Sequence, residues 1–359
     1  MKPRYIFIIA LNGASLLLFL LVTILEVFTE NSLPDQHTAE KWAGNDRYAQ
    51  ISVFTDGANS YTIDGIFTAR VDIEKKLVEN SFAPEKENTR IWTDAFSTSQ
   101  MKAMISSDRT SAEATMIVTG GDFFLFHPLD MISGYYYSDS DTMHDRIVID
   151  NVLAWQLYGA SDIAGKPVTI NGKYYYIAGV FRQSENSYLE KVYGSKPRAF
   201  MPYQGYTMLG ETPYFSCYEA CLPNPVTGLG KQMISESIGI NEENYRMVEN
   251  SSRYGMKNRF ALLRDNGMRS VVDAPIVYPY WENAARMTED RSALLLLLQI
   301  VGMIFPAGTA VYFLRKLVKN RKKLAKKLFD RIRELISRHK GNSRKTSGSQ
   351  KNGETAVKV

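Results

Sequence analysis

The stretch LYGASDIAGKPVTINGKYYYIAGVF, residues Leu157–Phe181, decides how the middle of this chain is read. Gly159 followed by Gly165-Lys166 supplies some ingredients of a phosphate-binding loop. Such a loop needs about four residues between its first Gly and the Gly-Lys pair, then Ser or Thr to hold magnesium. Here five residues intervene and Pro167 takes the hydroxyl position. Proline also lacks the N–H that such a loop offers to phosphate. The second half carries a different signal. Asn171-Gly172 separates two β-rich runs, PVTI and YYYIAGVF. Asn-Gly suits a tight primed turn, whose two central residues both need positive φ. The stretch reads as a loop entering a hairpin, with no nucleotide chemistry.

Just upstream, DRIVIDNVLAWQLYG predicts a strand over Arg146–Ile149 that runs into a short helix, capped by the side-chain oxygen of Asp150 or Asn151. Farther back, Ile51, Val53 and Phe54 mark a strand ended by Asp56-Gly57. Ile63, Ile66, Phe67, Ile73 and Leu77 recur at helical spacing and predict a helix over Tyr61–Glu79. Thr115–Val118 reads as a strand closed by Gly120-Gly121. From Arg182 to Asn250 prolines loosen the pattern, and this segment is expected to form an inserted second lobe.

Two apolar runs flank this region. Tyr5–Phe28 has 24 residues with Glu26 as its only charge, and Ser292–Leu314 has 23 residues with none. As helices, each reaches about 35 Å, enough to cross a ~30 Å hydrocarbon core with some tilt. The first run exceeds the roughly 7–15 residues of a signal peptide, and no A-x-A-like cleavage site follows it, so it reads as a retained span. Pro306 is expected to kink the second. Tyr278, Tyr280 and Trp281 precede that span as expected membrane-surface aromatics.

The net charge of +5 conceals a division. Residues 315–359 carry 16 Lys and Arg against 3 Asp and Glu, whereas residues 5–314 carry 25 basic and 35 acidic side chains. Basic segments beside spans stay in the cytoplasm, which puts both termini inside and residues 29–291 outside. The expected organisation is an N-terminal transmembrane helix (1–28), a tether (29–47), an α+β extracytoplasmic domain (48–291) with its inserted lobe (182–250), a second transmembrane helix (292–314) and a basic cytoplasmic tail (315–359). Leu317, Leu324, Leu328, Ile332, Leu335 and Ile336 share a stripe of that tail. It is therefore read as a basic amphipathic helix, in which Arg315, Lys316, Lys319, Arg321, Lys322, Lys323, Lys326 and Lys327 are candidate contacts for anionic lipid or an acidic partner. Its few aromatics and membrane tether argue against nucleic acid.

Catalytic and metal signals are weak. Asp139, Asp141, His144 and Asp145 lack the Gly and terminal Glu of a calcium loop and read as a solvated turn. The four histidines are scattered, and no G-x-S-x-G elbow occurs. No enzyme activity, cofactor or metal is expected. Cys217 and Cys221 fall in PYFSCYEACLP, which reads as a strand. A strand separates their Cα atoms by about 13 Å, beyond the ~7 Å limit for a disulfide, so that only a bend between them permits a bond.

The segment VIDNVLAWQLYGASDIAGKPVTINGKYYYIAGVF resembles the periplasmic core domain of MacB/FtsX-like ABC-transporter permeases. The resemblance is carried by an alanine-containing helix (Ala154), a G-x-x-D-x-x-G-K-x-V-x-I turn and strand (Gly159, Asp162, Gly165, Lys166, Val168, Ile170), the Asn171-Gly172 turn and the closing Gly179-Val180. The strand ISVF and the segment GGDFFLFHPLDMISGYYY are also similar to one branch of the family. The resemblance implies a mechanotransmission role, in which a separate cytoplasmic ABC-type ATPase drives the outer domain. Typical members have four spans where two are read here, and the basic tail follows the second span, where members place their ATPase-coupling segment. A second permease subunit is expected to complete a pathway. The reading from another class is a two-span sensor or ligand-binding receptor without transport activity.

Overall fold

The computed structural model describes residues 3–44, 47–84, 89–183, 196–265, 272–273 and 275–348, with the side chains of 264–265, 272–273, 322–330 and 333–348 outside the description. Helix α1 (Pro3–Asn31) opens the chain, followed by a 3-10 turn (Pro34–Gln36) and α2 (Thr38–Ala43). The expected tether is therefore a folded segment. Leu33, Asp35, Gln36 and Thr38 are buried, because Gln50 holds both sides of the turn by donating to Asp35 O (2.6 Å) and accepting from Thr38 N–H (2.9 Å).

Strand β1 (Tyr48–Thr55) leads into α3 (Ile63–Glu79), whose first turn is capped by Thr62 Oγ1 accepting from Gly65 N–H. The expected apolar stripe closes on Ile66, Ala69, Ile73 and Leu77, all buried. Next come β2 (Thr93–Thr98), β3 (Met101–Ser106), β4 (Ser111–Gly121), α4 (Phe123–Phe126), β5 (Met131–Gly134) and β6 (Arg146–Asp150). Asp150 caps α5 (Asn151–Tyr158) by accepting from Leu153 N–H. Strands β7 (Pro167–Ile170) and β8 (Lys173–Phe181) form the expected hairpin, with φ of 48° at Asn171 and 77° at Gly172, as a primed turn demands. Then follow β9 (Arg198–Pro202), α6 (Tyr203–Thr207), β10 (Phe215–Pro223), α7 (Leu229–Ser237), β11 (Tyr245–Glu249), α8 (Met256–Asp265) and α9 (Tyr280–Gly348).

Strand pairing divides this domain into two halves. In the first, the order is β11-β1-β10-β2 with every neighbour antiparallel. α3 joins β1 to β2 and α7 joins β10 to β11, which is the split βαβ arrangement of ferredoxin-like folds. In the second half, β4-β3-β7-β8-β6-β9 close on themselves because β9 returns to pair with β4. This ring of strands is inserted between β2 and β10. Of the expected lobe 182–250, residues 184–195 lie outside the described residues; among the rest, β9 belongs to the inserted half, which comprises β3 to β9, and β10 is a central strand of the first half. Every residue of β10 is buried, since neighbours flank it on both edges and the core covers it, and this explains why its sequence does not alternate.

One continuous core joins the two halves, from Ile51, Val53 and Ile73 through Val118 to Ile147, Leu153 and Tyr175. A second core includes Phe54, Phe123, Phe126, Phe200 and, at and just before the start of α9, Tyr278, Tyr280 and Trp281. Those three aromatics are 3, 6 and 2 % exposed, so they anchor the chain to the domain and do not line a membrane surface. Tyr278 stacks edge-on against Phe54 at 5.3 Å, and Trp281 against Phe123 at 5.8 Å.

Residues up to Thr23 of α1 and from Leu298 of α9 form a separate unit. Within it Thr309 donates to Asn12 Oδ1 (2.8 Å) and Gln299 to Thr23 Oγ1 (3.1 Å). Both bonds run between the two helices, and the same side chains also bond their own helix backbones, Thr309 to Pro306 O (2.9 Å) and Thr23 to Phe19 O (2.9 Å). α9 carries Pro306 inside it and continues helically into the basic segment.

Candidate functional site

The fold brings into one chain of contacts several buried charges that the sequence scatters over more than 250 residues. Asp35 lies in the turn after α1, His127 caps the end of α4, Ser52 is on β1 and Glu219 on β10. All four are buried. His127 Nδ1 lies 3.2 Å from Asp35 Oδ1, and its Nε2 makes a short contact with Glu219 Oε2. Glu219 Oε1 accepts from Ser52 Oγ (2.7 Å), and Ser52 Oγ accepts from Asn250 Nδ2 (2.8 Å). Asn250 Oδ1 accepts from Arg253 Nη1 at 3.2 Å, which brings the chain of contacts to the start of α9.

There Arg253 meets Glu282 through two bonds of 2.6 and 2.7 Å, and its Nε lies 2.8 Å from Glu289. Glu282 and Glu289 lie two turns apart on α9. Beside them Arg259, on α8, pairs with Glu26 and, at 3.0 Å, with Glu30 on α1. Ser292 of α9 donates to the same two carboxylates at 3.1 and 3.0 Å. Arg259 and Ser292 thereby fasten the domain-side ends of both long helices to each other and to α8.

Electrostatics favour the charged forms. Burial opposes the His127 imidazolium, but the Glu219 and Asp35 carboxylates more than offset this and raise its pKa to about 9. Burial likewise opposes the Arg253 charge, and Glu282 with Glu289 reverses that, holding it well above the ordinary guanidinium range. A network of this kind has high stakes: fully paired it fixes a unique arrangement, and with one member removed it leaves a buried charge uncompensated. It holds no nucleophile with a facing base, and no cluster of metal-ligand residues occurs among the described residues. It is a buried network of ion pairs and hydrogen bonds that joins β1 and β10 to the domain-side ends of α1 and α9.

The motif residues read from the sequence lie elsewhere, in the inserted half, and act on its backbone. Ala154, Val168, Ile170 and Val180 are buried. Gly159 ends α5 in the left-handed region, Gly165 N–H donates to Ile177 O (2.7 Å), and Asp162 accepts from Ser133 Oγ (2.6 Å). Lys166 is exposed, its backbone exchanging bonds with Ile163 and Ile177. A Cβ on Gly179 would collide with Met131 Cε and lie 2.7 Å from Tyr135 O, so this glycine lets β5 approach. Asp139 is not purely solvated, since it accepts from Gly121 N–H at 2.6 Å. Cys217 and Cys221 are buried free thiols on β10. Of the tail residues, Arg315, Lys316, Lys319 and Arg321 are on α9, and the side chains of Lys322, Lys323, Lys326 and Lys327 lie outside the described residues. Sequence reading missed the ionic joint. Its one available signal was Glu26 inside an otherwise uncharged run.

A split βαβ half with an inserted ring of strands, in a chain that also carries two long apolar helices, defines a class of α+β domain flanked by candidate membrane spans. The chain belongs to the family of the MacB-like periplasmic core domain, whose model matches residues 18–219. Three solved structures are similar to it. The periplasmic region of MacB from Actinobacillus actinomycetemcomitans has 11 % identity and a TM-score of 0.39, covering 56 % of this chain and 89 % of that one. The extracellular domain of the noncanonic ABC-type transporter YknZ from Gram-positive bacteria has 14 % identity and a TM-score of 0.38, covering 55 % and 99 %. A domain of a putative permease protein from Porphyromonas gingivalis has 15 % identity and a TM-score of 0.32, covering 57 % and 88 %. No curated protein sequence matches the chain. Two helices, Pro3–Asn31 and the Tyr280–Arg321 part of α9, are long and apolar enough to cross a membrane. Flanking a periplasmic-type domain, they fit a membrane protein with an extracytoplasmic domain.

Proposed function

We propose that the chain is a membrane-anchored, permease-like or accessory subunit of a MacB/FtsX-type ABC transporter, in which the two spans couple a separate cytoplasmic ATPase to the outer domain. The observation that carries this reading is the buried joint. Arg253 with Glu282 and Glu289, and Arg259 with Glu26, Glu30 and Ser292, tie both helices to the sheet through groups that cannot part without exposing charge to an apolar interior. Displacement of either helix is therefore passed to β1 and β10 and not absorbed in a loose linker. Both termini are cytoplasmic in this arrangement, and the Arg315–Lys327 segment faces the ATPase and anionic lipid. A second permease subunit completes the pathway.

The test is recovery from mild detergent with and without residues 315–359. An ATPase identified by its nucleotide-binding motifs, recovered with the full chain and lost with the truncation, supports coupling. Failure to recover any such subunit removes the transporter reading. A second reading, an extracytoplasmic sensor or ligand-binding receptor, is favoured by a cleft beside α3. A kinase or response regulator recovered in place of the ATPase supports it.

A further inference from the structure

Away from the ionic joint, a cleft of about 550 Å³ opens between α3 and the segment that enters β2. This is the size of cavities that take small ligands, roughly 300–1,000 Å³. One side is apolar, made by Leu77, Val78, Phe82, Ile91 and Trp92. The other is charged, and its charges are unequal. Arg70 meets Asp94 through two bonds of 2.7 and 2.8 Å and Arg90 meets Asp122 at 2.5 Å, while Arg70 also acts through space on Asp139, favouring its charged form. Glu74 and Asp139 line the same cleft with no cationic side chain within ion-pair distance among the described residues. Asp139 accepts one bond from Gly121 N–H, and its burial pushes the carboxyl up from its usual range. A half-buried carboxylate with spare acceptor capacity, facing an apolar wall, is complementary to a cation on an apolar body.

We infer that this cleft binds a ligand carrying an ammonium or guanidinium group on an aromatic or aliphatic body, with Asp139 and Glu74 receiving the cation and Phe82, Ile91 and Trp92 the body. Such a group is supplied either by a free amphiphilic amine or by a basic side chain next to an apolar one in a peptide. The site requires nothing of the ATPase coupling and stands or falls separately from it.

Three probes of matched shape test it on the full chain in detergent by titration calorimetry: phenethylamine, 2-phenylethanol and phenylacetate. Phenethylamine is expected to bind about tenfold more tightly than the alcohol, the scale of one charge-assisted contact, with phenylacetate weakest. Asp139→Asn should remove most of the amine's advantage over the alcohol, and Glu74→Gln, at an exposed position, should remove a smaller part. Thermal melting of each variant reports whether it is folded. If Asp139→Asn does not fold, the order of the three probes on the unmodified chain and the Glu74→Gln effect still decide. Equal affinities, a preference for the anion, no binding, or an amine preference untouched in folded variants overturns the inference. Acetyl-Phe-Lys-amide, run alongside, separates the sources: tighter binding than phenethylamine assigns the site to peptide side chains, and weaker binding to a free amine.

Discussion

Arg253 donates two hydrogen bonds, 2.6 and 2.7 Å, to Glu282, and both side chains are about 2 % exposed. The pair joins the segment after β11 to the first turn of α9, so the second long helix begins inside the domain's own electrostatic core. Removing the cation leaves Glu282 to its longer pair with Arg286, at 3.3 Å, and takes from the buried Glu289 its 2.8 Å partner. Arg253→Met is therefore expected to destabilise the domain by about 3–5 kcal/mol, and adding Glu282→Gln and Glu289→Gln should restore part of the loss. Thermal unfolding followed by circular dichroism reads both, and a single variant as stable as the parent would contradict the pairing.

His127 ties the turn after α1 to the central strand through Asp35 and Glu219. Folding raises its pKa from 6.5 to about 9. The folded form binds the proton more tightly, so the stabilisation is fully present below pH 6.5 and is lost as pH rises toward 9. It amounts to about 3 kcal/mol at most. Melting temperature should fall between pH 6.5 and 9 in the parent and change less in His127→Gln, which keeps a hydrogen-bonding side chain without the titration. Parallel pH profiles for the two proteins would rule this out.

Two glycines of the family motif should fail for different reasons. Gly172 has φ of 77° and open space where a Cβ would sit, so Gly172→Ala pays only for the left-handed backbone, about 1–2 kcal/mol, and Gly172→Asn should be milder. Gly179 has an ordinary φ but no room, and Gly179→Ala should cost as much or more by displacing Met131 and β5. Denaturant melts of the three variants distinguish these causes.

The thiols of Cys217 and Cys221 are both pushed up by burial, that of Cys221 to about 12. Thiolate is the reactive form. Maleimide at pH 8 is expected to leave both unlabelled in the folded protein and to label both once it is denatured, as read by intact mass. Rapid labelling of the folded chain would show that β10 is not covered as described.

Much of the local structure was legible in residue order. The spacing of Ile66, Ile73 and Leu77 marks α3, Asp150 caps α5, and Asn171-Gly172 turns the hairpin, because helix period, capping and turn chemistry act over a few residues. The division into halves was not legible. β10 lies beside β1 although about 165 residues separate them, and its prolines and buried length look the same in a separate lobe or a central strand. Tyr278, Tyr280 and Trp281 illustrate the same limit: amphipathic rings before an apolar run suit a membrane surface and a protein core equally, and only the neighbouring Phe54 and Phe123 decide between them.

Composition alone determined that this chain has two runs able to cross a bilayer, a basic end and an acidic middle, since length, hydropathy and charge need no partner to be read. Tertiary structure alone decided where the buried charges go. Glu26, Arg253, Arg259 and Glu282 become a joint only when distant segments converge, because a buried ion is tolerated solely where its counter-ion is already in place.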